Sequence, residues 1–368
     1  MKLITFKGLA ALVMLFNIIG SAYAQEDPAL FLGKANARVA HAMAFKNSWD
    51  GPTTGPKLAQ GKFIVFIGAD MGDPSETKIA NALKEVTASI GWGVQILDCY
   101  GIPSRRAESF SRAIALKPAA NVFSDADAKS EAKQIATATE KKIPVIGWHA
   151  ALANGPTDGL YTNIGTDPKE SGQLAALLGV VESKAKAGVV VLSDPSSVYL
   201  ATKSLGLIDT IKQCQTCALL EVDQVSPTEK PDQVIQRVMG LEKQFGTRLT
   251  YIMATNDRIF DILSSPAATT VLGDGKFQAI AAGFGSPTAY SRIRSKKVQM
   301  GTVPEPLNMQ AWQIVDEVNR AAAGEKPSGY APESYVVTIQ NIAYHGGQNN
   351  TFDPSNGYQE AYKKIWGR

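Results

Sequence analysis

From Lys62 onward, short apolar runs alternate with amphipathic stretches in a regular order. "FIVFIGA" reads as a strand, Ser75 to about Ile90 as a helix, "GVQILDC" as a strand, and "SRRAESFSRAIAL" as a helix. "ANVFS", "AKSEAKQIATATEK", "IPVIGW" and "LYTNIG" continue the series as strand, helix, strand and strand. Such β-α-β alternation predicts a parallel sheet with helices on both faces. The pattern then repeats from "PKESGQLAALLGVVESK" and "AGVVVLS" to "VQMGTV", which predicts a second doubly wound lobe. A long helix, "LNMQAWQIVDEVNRAAAGEKP", follows with apolar residues at helical spacing and stops at Gly324 and Pro327.

The amino-terminal end departs from this pattern. Lys2 and Lys7 precede an apolar run from about Leu9 to Gly20, and Ala22-Tyr23-Ala24 supplies a small-residue cleavage signal. The run is shorter than the ~20 residues needed to span a bilayer, so residues 1–24 read as a signal peptide cleaved after Ala24. No cysteine stands at the cleavage point to make a lipoprotein. Residues 25–61 read as a helix, "PALFLGKANARVAHAMAF", and an extended Gly- and Pro-containing linker, with order beginning at Lys62.

Export changes the reading of the three cysteines. In an oxidising compartment the C-x-x-C of "KQCQTCALL" is open to three readings: a disulfide between Cys214 and Cys217, two free thiols, or a redox motif. The structural bridge is preferred, because the pair follows a helix end whereas a redox motif opens a helix. Cys99 is then the odd thiol. Three histidines and no four-ligand spacing argue against structural zinc. With 37 basic and 34 acidic residues and no Arg-rich run, the chain has no footprint for nucleic acid. No G-x-S-x-G elbow, H-E-x-x-H or P-loop occurs, so a binding protein without cofactor is expected rather than an enzyme.

In open α/β sheets ligands sit at the carboxyl ends of strands. "IPVIGWHA" breaks off there at Trp148 and His149, which are expected to line a cleft. An indole suits stacking on the flat face of a ligand, with filling of the lobe interface as the alternative. "GADMGDP" lacks dinucleotide-site spacing but offers Asp70, Met71 and Asp73, the last also suited to capping a helix before Pro74. Asn256, ending "YIMATND", has an amide that both donates and accepts, while Asp257 suits a helix cap.

Taken in order, "VFIGADMGDP", "IPVIGWHA", "NIGTDPKESGQLAA", "YIMATNDRIF", "AAGFGSPTAYSRI" and "GTVPEPLNMQAWQIVDEV" resemble the class I periplasmic binding proteins, the ribose-binding-protein-like substrate-binding proteins of sugar ABC transporters. The leader "WDGPTTGP" and the tail "FDPSNGYQEAYKKIWG" set it on a branch of its own within that group. The resemblance implies a periplasmic binding protein type I fold: two doubly wound α/β parallel-sheet lobes joined by three hinge crossovers, near Thr166–Pro168, Glu305–Leu307 and Val336–Thr338. Residues 62–165 plus 306–335 would form the amino lobe, and 166–304 plus 336–368 the carboxyl lobe. It also brings in Lys203, near a family arginine; Ser286, where Gly283-Phe284-Gly285-Ser286 replaces G-F-D-G; and Glu305, near a hinge glutamine. Trp148-His149 stands where the sugar binders often have Asp-Arg, which counts against a plain ribose-like ligand. The implied protein is a monomer in the periplasm. It would close around a small neutral sugar or polyol and deliver it to an ABC permease, or, alternatively, signal to a membrane chemoreceptor or sensor kinase.

Overall fold

The computed structural model describes residues 27–226, 229–272, 277–346 and 349–368; the expected signal peptide lies outside them. In the amino lobe, strands β1 (Phe63–Gly68), β2 (Gly93–Asp98), β3 (Ala120–Ser124), β4 (Val145–Trp148) and β5 (Thr162–Ile164) pair in parallel in the order β2-β1-β3-β4-β5. Alternate residues of β1 face opposite ways, as a pleated strand requires. Ile64 and Phe66 pack with helices α2 (Pro74–Ser89) and α11 (Leu307–Ala323), whereas Val65 and Ile67 pack with α3 (Pro103–Ala115) and α4 (Ala132–Glu140).

The carboxyl lobe holds β6 (Gly188–Ser193), β7 (Ala218–Gln224), β8 (Tyr251–Ala254), β9 (Gln278–Ala281), β10 (Gln299–Thr302) and β11 (Val337–Thr338), in the order β11-β10-β9-β8-β6-β7. All pairs but the last, antiparallel β10-β11, are parallel. One face packs on α5 (Pro168–Glu182) and α6 (Val198–Gln213), the other on α7 (Pro231–Phe245), α8 (Arg258–Leu263) and α9 (Pro266–Leu272). Helix α10 (Pro287–Ser295) precedes β10 and packs with Tyr335 and Val337. In both sheets the strand order reverses beside the first strand, so each lobe has a switch point where loops diverge and leave a crevice.

Local chemistry fixes how α5 and α6 meet. Asp167 caps α5 through the amides of Lys169 and Glu170, with Pro168 in its first turn. A Cβ on Gly172 would fall 2.1 Å from the carbonyl oxygen of Lys203, and one on Gly206 would fall 2.3 Å from that of Lys169. Two glycines therefore let the backbones touch, and this contact seats α6 beside the hinge.

The ends of the chain differ from the expected arrangement. Helix α1 (Pro28–Met43) buries Phe31, Ala35, Val39 and Ala42, spaced along one helical face, in the carboxyl-lobe core against α5. The expected linker is packed well before Lys62: Leu58 is buried in the amino-lobe core with Trp49 against it, and Asn319 of α11 donates to the carbonyls of Pro56 and Lys57. The tail also departs from expectation. Its helix α12 (Tyr358–Trp366) joins the amino lobe, where Trp366 stacks on Trp312 at 5.4 Å and donates its indole proton to Asp316. Among the described residues of the tail, the part near Tyr335, Val337, Ile342 and Phe352 packs with the carboxyl lobe. Beside the three expected crossovers, the chain therefore passes between lobes again after α1 and before α12. Cys214 and Cys217 follow α6 with their sulfurs within bonding distance, and Cys99 is buried.

Candidate functional site

A cleft of about 540 Å³ separates the lobes at the carboxyl ends of both sheets. Its amino-lobe wall carries Ala69, Asp70, Asp73, Glu76, Arg106 and Asp125; its carboxyl-lobe wall carries Asp194, Asn256, Phe284 and Ser286; Glu305 lies at the hinge end. Of the residues expected from sequence, Asp70, Asp73, Asn256, Ser286 and Glu305 border this space. Trp148, His149, Lys203 and Met71 do not.

The correction is sharpest for Trp148. The side chain is wholly buried among the core residues between the sheet and α11, and its Nε1 donates to Gln310 Oε1 at 2.8 Å. β4 alternates sides, so Gly147 and Trp148 face opposite ways, and the pleat turns the indole toward α11 rather than toward the crevice. Met71 likewise packs against the amino-lobe core, over Gly68.

His149 and Lys203 meet each other's partner at the hinge. His149 leaves β4 with φ 55°, a left-handed conformation rare for a residue with a side chain, and its ring lies between Trp148 and Tyr199, with centroids 3.9 Å away on each side. Tyr199 and Lys203 both belong to α6 of the other lobe. Glu305 collects them all: its Oε2 is 2.8 Å from His149 Nε2 and accepts from Gln310 Nε2, while its Oε1 accepts from Tyr199 Oη at 2.8 Å and Lys203 Nζ at 3.2 Å. The Lys203 ammonium also sits 4.2 Å from the centre of the Phe284 ring.

Burial works against the charges of Glu305 and His149, yet their pairings prevail. Burial alone would raise Glu305, but the His149 and Lys203 cations hold its carboxyl well below the usual carboxylate range. Burial alone would lower His149, but Glu305 and Asp125 together raise it above the ordinary imidazole value. Tyr199 is pushed well up by burial and by Glu305, so it serves as a proton donor.

The two walls carry many polar side chains, and several of these groups are already engaged. Asp73 caps α2 through Ser75 and Glu76. Glu76, raised well above its ordinary value by burial and then by Asp125, accepts from Ser124 Oγ at 2.6 Å. Asp257 does not cap α8 through its side chain, as the sequence suggested. Its carboxylate instead accepts from the amides of Phe284 and Gly285, from Gln299 and from Thr302, which fixes the loop bearing Phe284 and Ser286. Ser286 caps α10 through Ala289. The clearest open valence lies elsewhere: Asn256 Oδ1 is buried without a hydrogen-bond partner in the carboxyl lobe, while across the cleft Asp125 Oδ1 has His149 Nδ1 at ion-pair distance, 3.5 Å.

Sequence reading missed Asp125, Asp194, Glu76, Tyr199 and Gln310. A signal for the first two was present, since "NVFSD" and "VVLSD" each put an aspartate directly after a strand, at the ligand-facing end of a parallel sheet. Tyr199 and Gln310 carried none, because each depends on a distant partner, Glu305 for Tyr199 and Trp148 for Gln310, 106 and 162 residues away.

Two doubly wound lobes facing each other across a cleft lined by many polar side chains define the architecture of a solute-binding protein. A family profile described as periplasmic binding protein domain matches residues 64–326, and the chain belongs to that family. Among solved structures, a solute binding protein of an ABC transporter from Agrobacterium vitis, bound to allitol, is similar with TM-score 0.67 and 16% identity over 77% of this chain and 97% of that one. The Caulobacter myo-inositol binding protein, bound to myo-inositol, has TM-score 0.67 and 20% identity over 78% of this chain and 96% of that one. The arabinose ABC transporter component from Shewanella sp. ANA-3 has TM-score 0.65 and 14% identity over 82% and 95%. No curated protein matches the chain by sequence.

Proposed function

We propose that the protein captures a small neutral polyhydroxylated ligand, a sugar or polyol, between its lobes in the periplasm and hands it to the permease of an ABC transporter. One observation carries the ligand class: Asp125 and Asn256 line one cleft from opposite lobes, and the Asn256 Oδ1 is buried without a donor. A buried acceptor left unpaired costs about 1–3 kcal/mol, and a hydroxyl from a ligand satisfies it. A polyol has hydroxyls on opposite edges, so one molecule reaches both acceptors only when the lobes are together. That gives the differential affinity for the closed form that a closing ligand must have. The structural neighbours bound to allitol, myo-inositol and arabinose support the same class. Anionic ligands fit less well, since carboxylates outnumber basic side chains along the walls.

Export by residues 1–24 and an oxidised Cys214–Cys217 pair belong to this reading. Mass spectrometry under native conditions, on protein taken from the periplasm, tests the ligand class directly. A thermal-shift screen of pentitols, hexitols, inositols, aldoses and their phosphates tests it independently, because a bound ligand raises Tm by mass action. Stabilisation by a neutral polyol or sugar is expected. Stabilisation by the phosphorylated forms alone would overturn the reading.

A further inference from the structure

The hinge end of the cleft is filled by the protein's own side chains. Glu305, Lys203 and His149 are each no more than 3% exposed and are bonded to one another rather than presented to a ligand. Their owners are spread over the whole molecule. His149 ends β4 of the amino lobe, Tyr199 and Lys203 belong to α6 of the carboxyl lobe, and Glu305 lies on the crossover between β10 and α11.

The proton on His149 follows from geometry. Its Nε2 lies 2.8 Å from Glu305 Oε2, and its Nδ1 lies 3.5 Å from Asp125 Oδ1, so each ring nitrogen faces a carboxylate oxygen. A neutral imidazole has one N–H and one lone pair, which would set that lone pair against a carboxylate. The imidazolium presents an N–H on both sides, hydrogen-bonded to Glu305 through Nε2 and at ion-pair distance from Asp125 through Nδ1. It also balances the group: His149 and Lys203 positive, Glu305 and Asp125 negative. The titratable groups facing the ring are Asp125 from the loop after β3, Glu305 from the crossover, and Tyr199 and Lys203 from α6. Trp148, Phe284 and Gln310 complete the uncharged surroundings.

We infer that His149, Glu305, Lys203 and Tyr199 form a latch between the lobes that closes with His149 as the imidazolium and loosens when it loses its proton. Asp125 belongs both to the latch and to the cleft wall, so the residue offered to the ligand is also the one that helps keep the latch charged. Removing one partner of a buried ion pair strands the others, which is why the device responds sharply to a single proton. The direction of its pH response is fixed. The imidazolium is favoured in the folded protein, so the latch is complete at low pH and is lost as pH rises through the folded-state value of His149. Glu305 stays ionised throughout.

Spin labels on exposed cysteines replacing Glu85 on α2 and Lys243 on α7 report the lobe separation without any added ligand, so the test does not depend on the proposed ligand class. For the otherwise unaltered protein, the separation is expected to be short and narrowly distributed at pH 6 and to lengthen and broaden on raising the pH, in step with the imidazole nitrogen signals of His149. Glu305→Gln and Lys203→Met should give the longer, broader distribution at every pH. Identical distributions in folded variants and parent, or a His149 ring that is neutral at pH 6, would overturn the inference. Should both variants fail to fold, the pH series on the labelled parent decides alone.

Discussion

The indole of Trp148 donates to the amide oxygen of Gln310, 2.8 Å away, and so ties β4 to α11, the helix that follows the hinge crossover. That bond makes Trp148 a core residue of the amino lobe rather than a platform for ligand. Trp148→Ala should therefore lower stability by about 3–5 kcal/mol, the usual cost of emptying a core aromatic site. Trp148→Phe keeps most of the volume but leaves Gln310 without its donor, for about 1–3 kcal/mol. Denaturant titration of both variants checks the order. Loss of ligand affinity without loss of stability would restore the stacking role.

Asp125 and Asn256 should behave in the opposite way. Asp125→Ala and Asn256→Ala each remove an acceptor from the cleft wall and fill no core. The expected result is affinity weakened by about tenfold or more for the polyol selected by the thermal screen, since a hydrogen bond to a buried or charged group is worth about 1–3 kcal/mol. Stability in the absence of ligand should change little for Asn256→Ala. Calorimetric titration separates these effects.

The alternation of apolar strands with amphipathic helices made the two doubly wound lobes legible, because both sheets are covered on both faces and their strands read as continuous apolar runs. Of the site, the strand-end residues Asp70, Asp73 and Asn256 were legible for the same reason. The latch was not. His149 and Glu305 stand 156 residues apart, and their pairing depends on the two lobes facing each other. Nor did the Gly- and Pro-bearing stretch before Lys62 announce that it packs, since what holds it is the side-chain amide of Asn319 on a distant helix.

The contact between α5 and α6 gives a prediction at Gly172. A methyl group there would meet the Lys203 carbonyl at 2.1 Å, and a backbone atom cannot swing aside as a side chain does. Gly172→Ala should force the helices apart at a cost of about 1–3 kcal/mol. It should also shift Lys203 from Glu305. Gly33→Ala on α1, which meets nothing within 4 Å, is the matched control and should be neutral or slightly stabilising.

Cys214 and Cys217 are expected to be bridged in exported protein. Intact mass should rise by two hydrogens on reduction, and the bridge should contribute no more than about 2 kcal/mol because the loop it closes is short. A pair that alkylates fully without reductant would overturn this.

Glu317 on α11 supplies a prediction about pH. Burial, with Asp316 beside it, pushes its carboxyl up to about 7, against hydrogen bonds from Ser328 that favour the charged form. The ordinary glutamate value in the unfolded chain is 4.5. Between these two values the folded protein holds a proton that the unfolded chain has released, so this group's contribution to stability falls as pH rises across that window. It is fully present below 4.5 and lost by the time pH passes about 7. Glu317→Gln keeps an acceptor for Ser328 and cannot ionise, so the variant should gain on the parent progressively from pH 5 to pH 8. Chemical denaturation at several pH values measures that difference. A constant offset between the two proteins would mean that Glu317 is already ionised at pH 5 and that burial does not govern its charge.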